Sequence, residues 1–332
     1  MKNIPTILWV LLFFVSCKSP ATHKKLGAPD HKTTKTITVP TFNADSAYHY
    51  TAKQVSFGPR VPGTAAHKKC ANWLVKKLQG YCDTVIVQHF KARTYDKVLR
   101  NGQNIIGSFN PSYQNRILLM AHWDSRPFAD HDKDPSKRQT PIDAANDGAS
   151  GVGVLLEIAR QIHLQKPGTG IDILLFDLED WGPPSYLNLY GEDYWGLGSQ
   201  YWSKNPHIQG YSATFGILLD MVGAKNATFP KEYFSRQYAR YYVDLVWNKA
   251  FTLGYDNYFI DRDGYPIDDD HKYVNEIAGI PTLDIIHLDT KSSNGTFFEY
   301  WHTTGDTMDK IDKNTLKAVG QVLLTVIYNK TD

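Results

Sequence analysis

Cysteine is scarce in this chain, with Cys17, Cys70 and Cys82 the three among 332 residues. Charge of one sign is lacking too: 36 basic residues face 34 acidic ones for a net +2, and no long run of either sign occurs. That excludes the basic footprint of a nucleic-acid binder and the polybasic patch of an electrostatic membrane anchor, so no nucleic-acid partner is expected. There is no internal repeat, and 42% hydrophobic residues exclude the low-hydrophobicity, high-charge composition of a disordered chain. A large buried core is expected.

The N-terminus holds Lys2, an apolar stretch at 7–15, Ser16 and Cys17, then the polar KSPATHKK. The stretch is too short to span a bilayer and reads as a secretory signal over residues 1–16. A cysteine after small residues resembles the bacterial lipoprotein box, which implies a lipidated Cys17, a flexible tether over 17–40 and an exported, periplasmic protein held to a membrane by its lipid. Ordinary signal cleavage near Cys17 and an uncleaved short anchor are the alternatives. Export makes a disulfide permissible. Cys70 falls in a helical pattern and Cys82 at the start of a strand pattern, so a bridge and two separate thiols both stand.

From about residue 43 onward, strand and helix patterns alternate. Strands are expected at 84–89, 104–109, 116–122, 171–178, 214–222 and 282–287, and helices at 44–56, 65–79, 149–164, 198–204, 232–253, 270–278 and 313–328. The continuous apolar runs ILLM, ILLF and ILL predict central strands covered on both faces. The expectation is a single α/β domain over 41–332, with a central mixed, mostly parallel twisted sheet flanked by helices on both faces.

Polar residues follow the apolar strand cores, where ligand sites form in open α/β sheets. RILLMAH leads into His122, Trp123 and Asp124; IDILLFDL into Glu179 and Asp180; FGILLD ends in Asp220. Asp147 precedes a helix, and Trp301-His302 comes late. Singly, each has a bland explanation: Asp147 as a helix cap, His122 as a core histidine, Glu179-Asp180 as a solvated turn. Together, three or more carboxylates at one strand edge require a cation or shared protons. Asp147, Asp180 and His302 are a donor set suited to zinc, with Glu179 beside them as general acid/base. Alternation along a strand would point Glu179 and Asp180 to opposite sides.

The segments Phe57-Gly58-Pro59-Arg60-Val61-Pro62-Gly63-Thr64, His122-Trp123-Asp124-Ser125, Asn146-Asp147-Gly148-Ala149-Ser150, Leu178-Glu179-Asp180, Leu219-Asp220-Met221-Val222-Gly223, Asp269-Asp270-His271 and Trp301-His302-Thr303, in this order, resemble the glutaminyl-cyclase branch of the zinc aminopeptidase superfamily over 40–328. The resemblance implies one zinc ion on Asp147, Asp180 and His302; Glu179, Asp220 and Asp269 as the proton-handling carboxylates; and Trp301 with Trp195 or Tyr190 against the substrate, an N-terminal glutaminyl residue of a peptide or protein. The aminopeptidases of the superfamily resemble it equally in donor types, and there His122 and Asp220 would join a second zinc ion. A lipid-anchored binding protein that has lost catalysis is the third reading, and it would be expected to lack Glu179 or a metal donor. Two positions depart from animal cyclases: Asp180 stands where they have Glu, and Asp284 where they have His. The segment 181–195, with Pro183-Pro184, is expected to be a lineage-specific loop over the site mouth. Oligomeric state is not indicated.

Overall fold

Two strands set the architecture because both of their faces are apolar. In the computed structural model, which describes residues 38–189 and 193–329, every residue of β3 (Arg116–His122) and β4 (Gly170–Phe176) is buried. Side chains alternate across a strand, so Ile117, Leu119 and Ala121 enter one core while Leu118 and Met120 enter another. The leader, Cys17, almost all of the tether and Tyr190 lie outside the described residues.

Before β3 come α1 (Ala44–Val55), α2 (Ala65–Gln79), β1 (Thr84–Arg93) and β2 (Leu99–Phe109). The Asn43 carboxamide accepts from Ser46 N, and the Thr64 hydroxyl from His67 N, so both helices start on side-chain caps. After β3 follow α3 (Ala149–Leu164), β4, α4 (Leu197–Lys204), β5 (Phe215–Asp220), β6 (Phe229–Lys231), α5 (Tyr233–Thr252), β7 (Phe259–Asp263), α6 (Asp270–Tyr273), β8 (Thr282–Ile286) and α7 (Lys313–Asn329). The main sheet runs β1-β2-β4-β3-β5-β8. β1/β2 and β2/β4 pair antiparallel, and β4/β3, β3/β5 and β5/β8 pair parallel. The sheet is mixed with its centre parallel, as the apolar runs predict. Helices α1, α3 and α7 pack together over the larger core, while Trp202 of α4 closes the smaller one with Val274 and Ile280.

The expected elements form, with instructive differences. β1 and β2 each extend four or five residues past expectation because they are one long hairpin whose far end pairs Arg93 with Leu99. The short parallel pair β6/β7 lacks enough residues to show a period. The expected helix at 270–278 is α-helical only to Tyr273 and turns π-helical over Val274–Ala278. Cys70 and Cys82 are both free thiols, Cys70 buried in α2 and Cys82 against Gly107. Among the described residues no helix is long and apolar enough to cross a membrane.

Candidate active site

The parallel centre of the sheet brings the ends of β3, β4 and β5 side by side. His122 is the last residue of β3 and Asp220 the last of β5. β4 stops at Phe176, before Glu179 and Asp180, so strand alternation does not orient that pair. A turn with Leu178 at φ 57° does. The carboxylate of Asp124 fixes that turn by accepting Glu179 N at 3.2 Å and Asp180 N at 3.3 Å. Asp147 sits just before α3, whose N-cap is Gly148 without a side-chain cap, so Asp147 is not a capping residue. Asp306 holds its segment by accepting Asn146 N and Asp147 N. A Cβ on Gly148 would lie 2.3 Å from His122 Nε2, so only glycine lets α3 start this close to β3.

One cavity of about 330 Å³ is lined by Asp147, Glu179, Asp180, Trp195, Asp220, Asp269, Trp301 and His302. Every expected catalytic and zinc-binding residue, and two of the three expected aromatics, therefore meet in one place. Tyr190 lies outside the described residues. His122 stands behind the cavity, its Nε2 at 3.0 Å from Asp147 and 3.3 Å from Asp220. Trp301 stacks on the His302 ring at 3.7 Å between centroids, and Trp195 lies parallel to it at 6.0 Å. Asp269 is also the N-cap of α6, accepting Asp270 N; capping and lining the cavity are compatible.

The donors fit a cation. His302 Nε2 lies 3.2 Å from an Asp180 oxygen and 3.6 Å from an Asp147 oxygen, the separations of atoms sharing one tetrahedral ion with bonds of about 2 Å. Among the described residues, Asp147 Oδ2 and Asp180 Oδ2 are buried without a hydrogen-bond partner, which such an ion would supply. Burial, then the nearby Arg126 charge, push His302 well below the ordinary imidazole range, toward its neutral, donor form. Burial raises Glu179 well above an ordinary carboxyl; the charge of His122 opposes this while Asp269 and Asp180 add to it. Asp220 is pushed up to about 8, mainly by burial, and Asp269 is raised for the same reason. A second group, His122, Asp147 and Asp220, also brings three possible metal donors within 4.8 Å.

The model of peptidase family M28 matches residues 104–327. The chain belongs to this family. Among solved structures, the chain is 55% identical to a Zn-dependent exopeptidase from Parabacteroides distasonis (TM-score 0.86, covering 88% of this chain and 100% of that one). It is 54% identical to the glutaminyl cyclase of Tannerella forsythia (TM-score 0.86, 88% and 100% covered). It is 51% identical to the glutaminyl cyclase of Bacteroides thetaiotaomicron bound to N-acetylhistamine (TM-score 0.85, 89% and 100% covered). In this M28 chain, sequence reasoning missed the residues that hold the donors. Asp124 carried a signal in the His122-Trp123-Asp124 run; Asp306, Arg126 and Asp130 carried none, being single polar residues in aperiodic loops.

Proposed function

We propose that this chain is a zinc-dependent glutaminyl-peptide cyclotransferase, converting the N-terminal glutamine of peptides or proteins to pyroglutamate with release of ammonia. The observation that carries the reading is the single cavity in which Glu179 and Asp269 join the Asp147, Asp180 and His302 donors between two tryptophans, in a chain half identical to two glutaminyl cyclases. The complete donor set argues against a binding protein without catalysis.

On this reading Asp147, Asp180 and His302 hold one zinc ion, which when bound supplies Lewis acidity to a carbonyl oxygen in the cavity. Trp195 and Trp301 hold the glutaminyl side chain so that its own α-amine faces the carbonyl carbon of the γ-carboxamide. Glu179 takes the amine proton as the new N–C bond forms. It returns that proton to the departing nitrogen as the old amide bond breaks, and ammonia leaves. Asp220 and Asp269, whose charges act on Glu179 or its neighbours, hold the proton within the buried network. No water enters the balance.

Incubation of the purified protein with a Gln-initiated peptide tests this. Loss of one ammonia mass from an otherwise intact peptide is expected, with Glu179→Gln slower by about 10²- to 10⁴-fold. Release of free glutamine and a peptide shorter by one residue would establish the second reading, an exopeptidase. One observation favours that reading: His122 and Asp220 flank Asp147 as donors for a second ion. Two zinc ions per chain by elemental analysis would support it, and one supports cyclisation.

The leader pattern, with Cys17 after Ser16, supports an exported catalytic domain over 41–332 tethered by a lipid. Cys17→Ala is expected to move the protein from the membrane to the soluble fraction, and unchanged membrane association would refute the anchor.

A further inference from the structure

Arg126 takes no part in the chemistry above, yet it is one of the largest fully buried side chains. Its guanidinium donates to both oxygens of Asp130, at 2.7 and 3.0 Å. It donates also to Oδ1 and the backbone oxygen of Asp180, at 3.2 and 3.3 Å. It reaches the backbone oxygens of Gly182 and Pro183, at 3.4 and 3.3 Å, in the mouth segment. Its centre lies 4.4 Å from the Phe128 ring and 4.9 Å from the Trp195 ring. Asp130 spreads the contact further: it faces His302 Nδ1 at 3.7 Å and accepts Ser185 N at 2.8 Å. The next residue, His131, donates its N–H to His302 O at 3.1 Å.

A histidine that binds metal through one ring nitrogen is oriented by the partner of the other. Among the described residues His302 Nδ1 is buried with no partner at hydrogen-bond distance, and the Asp130 carboxylate stands 3.7 Å from it. A bare guanidinium this close to a cation would repel it; Asp130 neutralises that charge. We propose that Arg126 and Asp130 are a positioning pair that ties the zinc donors Asp180 and His302 to the aromatic wall at Trp195, so that donor geometry and the shape of the substrate cavity are set together. The proposal rests on the zinc reading of Asp147, Asp180 and His302. Only arginine serves here. Its planar fork reaches four residues while its faces stack on two rings, whereas lysine keeps the charge but offers neither the fork nor the face.

The test compares the full chain with Arg126→Lys and Asp130→Asn, all at a temperature where circular dichroism shows them folded. Three quantities are read: zinc affinity by competition with a chelator, kcat and KM separately for a Gln-initiated peptide, and amide hydrogen exchange over 181–189. Arg126→Lys is expected to weaken zinc about 10- to 100-fold, raise KM and speed exchange in the mouth segment together. Asp130→Asn, isosteric and with less risk to folding, is expected to weaken zinc in the same range. Folded variants with wild-type zinc affinity and KM, even with a lower Tm, would overturn the pair as positioning residues. Weaker zinc with unchanged exchange and KM in Arg126→Lys would overturn the coupling. A wild-type chain that takes up no zinc overturns the zinc reading itself, before any variant is compared.

Discussion

The two ends of β3 and β4 bury charge in opposite ways. At their starts, Arg116 donates to both oxygens of Asp172, at 2.6 and 2.7 Å, and Ser108 and Tyr211 donate to the same carboxylate. The remaining guanidinium hydrogens go to backbone oxygens, including those of Phe109 and Asn110. One cation meets one anion, and the carboxylate is saturated. At the other ends, Asp147, Glu179, Asp180, Asp220, Asp269, Asp270 and Asp284 gather within reach of each other's charge, and one oxygen each of Asp147 and Asp180 has no hydrogen-bond partner among the described residues. Both clusters are buried in the same sheet. A neutral, saturated cluster supports the fold, and one short of positive charge is built to receive it.

The largest effect should come from removing a donor at the unsatisfied end. A bound ion stabilises the folded chain by about 4 kcal/mol at a thousandfold its Kd, so zinc should raise the Tm of the wild type markedly. Asp180→Asn should abolish most of that rise, together with activity, while making the metal-free protein no less stable, since it removes one buried like charge. A zinc-induced Tm rise equal to wild type in Asp180→Asn would break the comparison. At the saturated end the prediction reverses. Arg116→Met leaves Asp172 buried and unpaired and should cost about 3–5 kcal/mol in denaturant unfolding, with kcat unchanged in the folded protein. A large kcat change would mean that the two ends are not separable.

The same contrast explains what was legible in the sequence. The strand cores announced themselves through unbroken apolar runs, and the polar residues at or just beyond their ends met because parallel strands align their ends, Glu179, Asp180 and Asp220 in the cavity and His122 behind it. Asp147 and His302 were read as a donor set with Asp180 from their residue types, while Asp269 and the substrate-facing role of Trp301 came only through the family resemblance, since each lies in a loop or at a helix start with no periodicity. Asp284 was legible as a departure, and its burial among acids follows from its place in β8. The pairs Arg126–Asp130 and His67–Asp177 were not legible. Arg126 and Asp130 lie in a loop, where one charged residue near another in sequence has the same appearance on a surface, and His67, in α2, is 110 positions from Asp177. The saturated cluster was equally hidden, because Arg116 and Asp172 are 56 positions apart and read as ordinary strand-start polar residues.

One matched pair sits on the acidic side and sharpens the comparison further. His271 Nε2 lies 3.0 Å from Glu232, both fully buried, directly after Asp269 and Asp270. Burial pushes Glu232 up, but the charge and hydrogen bond of His271, together with the backbone N–H groups of Ser235 and Phe234, outweigh it and bring the carboxyl from 4.5 down to about 2. Burial pushes His271 down, and Glu232 again outweighs it, raising the imidazole above its ordinary 6.5. A depressed carboxyl contributes stability above its unfolded value, lost as pH falls from 4.5 toward 2; a raised imidazole contributes below 6.5, lost as pH rises through its folded value. The pair should therefore stabilise most between about pH 4.5 and 6.5, with an acid-side loss on the order of 3 kcal/mol. Unfolding measured across pH for wild type and Glu232→Gln should show the two curves farthest apart in that window and converging below it. A constant separation down to the acid limit would mean that the pair is not ionised in the folded protein, and that the acidic half holds its carboxyls neutral by shared protons alone.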